Sequence, residues 1–245
     1  MSDYFDGSRV LVPVDLSRED WEDLEPVELL SSTDVLLLGF YPVKDQVSLA
    51  QAREQLGEKA QRRLEILNDK FFDLGIEPES ELVFSENFSD AVDRVAVEKN
   101  CSAILTWNQR MVFEKIGVLL KCKHSIDHVI SATVWLMIDQ QQEIVFVHFL
   151  EEGIDDETRE KRKSVLKSNL DYLCDRGFDR DQLKIRMVVV DDPEEAMVKT
   201  ANEYDVLIMG ETEPTVKSTI FGLHHELVQE ESDGPVLIVR NPEEN

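Results

Sequence analysis

The chain has 245 residues, 42% of them apolar, enough for one large domain or two small ones with a real core. Its 51 acidic and 26 basic side chains give a formal charge of −25, a balance that repels nucleic acid and anionic membrane surfaces and excludes both as partners. No apolar run reaches the roughly 18 residues of a membrane span, and "MSDYFDGSR" has no apolar signal core, so direct membrane insertion is not expected and a cytoplasmic protein is.

Taken in chain order, "RVLVPVDLS" (9–17) is a short apolar run that ends in polar residues. Then comes "REDWEDLEP", where Trp21 stands among acids as a docking residue or a residue packed on the chain's own surface. The next apolar run is "DVLLLGFYPV" (34–43), followed by a long amphipathic segment that stops at Gly75. Glycine just past the last apolar turn is a common helix stop, because it takes positive φ without a Cβ clash. "ESELVF" reads as a strand, "SDAVDRVAVEKN" as a helix capped by Ser89, and "SAILTW" as a fourth strand.

The pattern then starts again. "KIGVLLKCK" (115–123) repeats the opening roughly 105 residues on. "HSIDHVISATVWLMIDQQQ" places Ile126, Val129, Ile130, Val134, Met137 and Ile138 at helical spacing. This favours "KIGVLL" as the first strand of a second half over its being the fifth strand of the first. "EIVFVHFLEE" (143–152), a charged helix stopping at Gly177, "KIRMVVV", "DPEEAMVKTANEY" with Asp192 as N-cap and Pro193 at N1, and "DVLIMG" follow in step. Only the second half continues, through "HHELVQEES" to "GPVLIVR" (234–240). The expected architecture is α/β: two tandem doubly wound parallel sheets, residues 1–112 and 113–245, the first lacking its last helix and strand.

Two such halves, with "VLVPVD" opening the chain and "DDPEEAMVKTANEYDVLIMGE…GPVLIVR" closing it, resemble a tandem universal stress protein. That resemblance implies a Rossmann-like fold with strand order 3-2-1-4-5 in a complete half. It implies stress adaptation or regulation without turnover, ATP or AMP binding in many members, and dimerisation through the last strand in many. Stress-type domains are also often fused to or paired with membrane transporters, so an accessory role beside a transporter is a further expectation. The excess of acid fits a halophile, whose salt shortens the screening length from about 8 Å to about 3 Å at 1 M.

Nucleotide-binding members resemble Gly-x2-Gly-x9-Gly-(Ser/Thr) after the fourth strand, where glycines let backbone N–H groups reach phosphate oxygens. Here Gly210 matches the first glycine, Glu213 stands at the second, and Gly222 comes one residue early with Leu223 after it. A carboxylate about 5 Å from a phosphate costs on the order of 3 kcal/mol at an effective dielectric near 20. Lys217, Ser218 and Thr219 remain as donors to an anion. The family's adenosine-contacting aspartate corresponds to Asp15 in the first half and to Lys121 in the second, so neither half keeps both parts. The leading expectation is a vestigial nucleotide site and no cofactor, with an ATP/AMP sensor or slow ATPase as the alternative.

Other constellations are weaker. His124 and His128 are i, i+4 on a predicted helix with His148 on a strand, but no third ligand has a telling spacing and no metal is expected. His224 and His225 read as a solvated turn, and Asp191, Asp192, Glu194 and Glu195 as helix capping and first-turn charge. Trp107 and Trp135 read as core or interface aromatics. Cys101, Cys122 and Cys174 are far apart, as in a reducing compartment. No nucleophile elbow, Walker loop, CxxC or HExxH is present, so no enzyme is expected. The strand "PVLIVR" would leave an open edge, covered either by a homodimer through Pro235 to Val239 or by the linker between the halves of an intramolecular pseudo-dimer.

Overall fold

A computed structural model describes residues 8–18, 28–44, 47–106, 114–120, 126–136, 142–191, 193–210 and 234–240. The first half contributes β1 (Arg9–Asp15), β2 (Asp34–Pro42), α1 (Leu49–Asp73), β3 (Glu79–Ser85), α2 (Phe88–Glu98) and β4 (Ala103–Thr106). The second contributes β5 (Lys115–Leu119), α3 (Ile126–Leu136), β6 (Glu143–Glu151), α4 (Asp156–Cys174), β7 (Leu183–Val190), α5 (Pro193–Ala201), β8 (Val206–Gly210) and β9 (Val236–Val239). β5 pairs in parallel with β6 and β8, and residues 126–136 are helical.

The local signals act where they should. Ser48 caps α1 in a reciprocal capping box with Gln51, and Asp155 caps α4 by accepting from the Thr158 N–H at 2.7 Å. Both helices end before glycines at positive φ, Gly75 at 75° and Gly177 at 96°. The cap of α2 is a correction. Asn87, in extended conformation, accepts from the Asp90 N–H at 3.2 Å, while Ser89 lies inside the helix and is buried. Asn87 and Ser89 are both good cap residues, and the core-facing spacing of Ser89 with Val92 and Ala96 puts Ser89 within the helix. The proposed cap at Asp192 lies outside the described residues.

All nine strands form one sheet in the order β3-β2-β1-β4-β9-β8-β5-β6-β7. Each half has the doubly wound order, and the inner strands, such as β1, β2, β4, β8 and β9, are apolar and buried on both faces, while the edge strands β3 and β7 are partly exposed. One face is covered by α1, α3 and α4 through residues such as Leu64, Leu136 and Leu166. The other is covered by α2 and α5 through residues such as Val92, Val95 and Val198.

The halves meet at β9. It runs parallel to β8 on one side and antiparallel to β4 on the other, with Ala103 opposite Val239 and Thr106 opposite Val236. The expectation that a second copy or the linker covers this edge is therefore corrected: the first half's own β4 takes it. The Thr106 hydroxyl donates to the Val236 carbonyl at 3.1 Å and accepts the Val236 N–H at 3.2 Å. Buried Arg240 continues the seam, its backbone N–H donating to the Ser102 carbonyl at 2.8 Å and its guanidinium to the Cys101 carbonyl at 3.3 Å. Trp135 is an interface aromatic, donating from Nε1 in α3 to Ser32 Oγ of the first half at 2.8 Å.

Candidate functional site

Open α/β sheets bind ligands beyond the carboxyl ends of their strands. Because β4 and β9 are antiparallel, this sheet has two such edges that face opposite ways. Asp15 ends β1 on one, and Gly210 ends β8 on the other. Gly210 lies level with Val10 through the pairs Gly210–Val239, Val239–Ala103 and Ala103–Val10. Asp15 stands five residues further along β1. With about 3.3 Å per residue and 4.8 Å per strand, the two are about 16 Å apart along the strands and 14 Å across them, or about 22 Å in all. The structure does not bring them together.

At the first-half edge the Asp15 carboxylate closes its own turn. Oδ1 accepts the Ser17 N–H at 2.8 Å and the Ser17 hydroxyl at 2.7 Å. This is the Asx-turn habit of aspartate after a strand. The Arg63 guanidinium of α1 donates to the next carbonyl, that of Leu16.

The second-half edge is built differently. Leu119 pairs with both Val147 and Met209, so Leu120, His148 and Gly210 form the next row across β5, β6 and β8. His148 and Gly210 are then about 10 Å apart, two strand spacings. His148 is 6% exposed. Its Nδ1 lies 2.8 Å from the Leu120 carbonyl oxygen, an acceptor, so Nδ1 carries the proton. Nε2 then faces Nη1 of Arg162, on α4, at 3.5 Å. Burial first, and then the Arg162 charge, push the imidazole pKa below its ordinary value against the opposing pull of the Leu120 carbonyl. The ring is held neutral.

Of the residues expected from the sequence, Lys217, Ser218, Thr219, Gly222, Glu213, Lys121, Asp192, His124, His224, His225, Trp21, Trp107 and Cys122 lie outside the described residues. His148 is committed to Leu120 and Arg162. Asp191 is exposed at the end of β7. Cys101 is buried, and burial pushes its thiol up to about 11, away from nucleophilic chemistry. Arg162 was missed, although its signal was readable: its helical neighbours at three and four residues are Thr158, Arg159, Val165 and Leu166, with no carboxylate among them.

The fold has solved relatives. A universal stress protein from Archaeoglobus fulgidus DSM 4304 matches over 100% of both chains with a TM-score of 0.69 and 15% identity. A functionally unknown protein from Pseudomonas aeruginosa PAO1 matches over 98% of this chain and 94% of its own, with a TM-score of 0.51 and 11% identity. A putative universal stress protein from Pseudomonas aeruginosa UCBPP-PA14 matches over 98% and 95%, with a TM-score of 0.50 and 10% identity. No family model matches the sequence, and no curated protein does. At these identities the likeness establishes the fold: a doubly wound, Rossmann-like α/β architecture like that of solved universal stress proteins.

Proposed function

We propose that the chain is a universal stress-type protein of the acidic, halophilic kind, with a shortened first half. It acts in the cytoplasm by binding and not by turnover. The observation that carries this reading is the separation of the two vestiges of a nucleotide site. Asp15 is engaged by Ser17 on one edge of the sheet, and Gly210 ends β8 on the opposite edge, about 22 Å away. A nucleotide held in either half would meet one vestige only. The pairing of β9 with β4 supports an intramolecular pseudo-dimer, since the strand that would join two copies is already used within one.

Two measurements test this. Phosphate release from ATP with magnesium in high salt should stay at the background rate. Native mass spectrometry should give the 28.2 kDa monomer. ATP turnover above background would overturn the reading, and a dimer that survives dilution would overturn its pseudo-dimer part.

A further inference from the structure

The guanidinium of Arg162 is the feature of the second-half edge that the fold alone does not explain. It is half-buried on α4, in a chain with about twice as many acids as bases. Its hydrogen bond is to an uncharged partner, His148 Nε2, and among the described residues it makes no ion pair. On α4 no acid stands three or four residues from Arg162. Asp155 caps the helix through Thr158, and Glu160 lies 3.7 Å from Lys163. Several other partly exposed basic groups pair with carboxylates. Arg9 pairs with Asp34 at 2.7 Å, Lys99 with Glu79 at 3.1 Å, and Arg186 with Glu203.

The support behind Arg162 is directional. The Leu120 carbonyl fixes the His148 tautomer, and the lone pair left on Nε2 takes one N–H of the guanidinium. A guanidinium carries five N–H donors in a rigid plane, so the others stay free for a forked contact with an oxyanion. The row that contains His148 also contains the last residue of β8, at the carboxyl edge where open sheets take ligands. We propose that Arg162, oriented by His148, is an oxyanion-binding residue of the second half, receiving a phosphate or carboxylate group beside the carboxyl end of β5, level with His148 of β6. The proposal rests on the reading of this protein as one that binds without turnover, and it names the ligand class. Arg162 makes the contact, and His148 is a positioning residue.

The test is a titration of the full chain with orthophosphate at constant ionic strength, read in two ways. Calorimetry on wild type, Arg162→Gln and Arg162→Lys gives affinity. Ring-proton NMR on wild type, with the His148 signal assigned by its loss in His148→Gln, gives location without relying on an Arg162 variant that folds. Saturable binding that shifts the His148 signal, and that weakens about tenfold or more in Arg162→Gln, is expected, because charge-assisted forked contacts are the strong ones. Arg162→Lys, which keeps the charge and loses the fork, should fall between. Acetate, AMP and ATP titrations then separate a carboxylate, a free phosphate and a nucleotide phosphate as the source. Absence of binding, an unmoved His148 signal, or equal affinity in Arg162→Gln would overturn the assignment. None of these results depends on whether ATP is hydrolysed, so the two readings fail separately.

Discussion

Replacing Thr106 with valine tests the seam on which the single sheet depends. The side chain is 3% exposed, and its hydroxyl makes two hydrogen bonds to Val236, at 3.1 Å to the carbonyl and 3.2 Å from the N–H. Valine keeps the shape and deletes both. At a net ~0.5–1.5 kcal/mol per hydrogen bond, the loss is about 1–3 kcal/mol. For a chain of this size that lowers Tm by roughly 2–4 °C per kcal/mol. Urea unfolding at fixed salt measures it directly as a shift in midpoint with unchanged slope. Far-UV circular dichroism and tryptophan fluorescence should also give coincident transitions in wild type, since β9 belongs to both halves. A loss under ~0.5 kcal/mol, within the range of an indifferent surface change, would refute the energetic role of the seam. Two separated transitions would refute the single cooperative sheet.

Three further outcomes follow from the structure. In Gly117→Ala the new Cβ would stand 2.6 Å from Cδ2 of the buried Tyr204 ring, so about 1–3 kcal/mol should be lost in urea unfolding and partly restored by adding Tyr204→Leu; additive losses would exclude the clash. His148 has a folded-state pKa below its unfolded value of about 6.5, so its contribution is complete above pH ~6.5 and is lost as pH falls below it, where the unfolded chain binds the proton more readily. Stability from pH 7 to 5 should fall more steeply in wild type than in His148→Gln, and parallel profiles would contradict the burial of a neutral ring. With a net charge of −25, Tm should rise between 0.1 M and 2 M KCl as screening shortens, and a flat response would remove self-repulsion as a term.

The elements were legible because their signals are local. Apolar runs bounded by turn residues became strands, and Gly75 and Gly177 marked helix ends through positive φ, whereas the caps Ser48 and Asp155 were not singled out. The choice between Asn87 and Ser89 was not legible, since both are good caps two residues apart and burial decides between them. The partner of β9 was not legible either. Thr106 and Val236 are 130 residues apart in sequence, and no local pattern announces an antiparallel pairing between parallel sheets. Asp15 was legible as the end of the first strand, but its engagement by Ser17 was not, because it depends on a turn two residues long. Arg162 carries no motif, and only the lack of a carboxylate three or four residues away sets it apart in the sequence.

The junction also covers two strand edges within one chain. An unpaired β4 would present Ala103–Thr106 as an open template, and β9, finished on one side by β8, would present another. Joined antiparallel, each satisfies the other. Reversing strand direction at that point sends the two carboxyl edges to opposite sides of the sheet, so a ligand on one side cannot use groups from the other. Whatever the second half binds must be held by groups of its own edge, where Leu120, His148 and Arg162 are arranged in series.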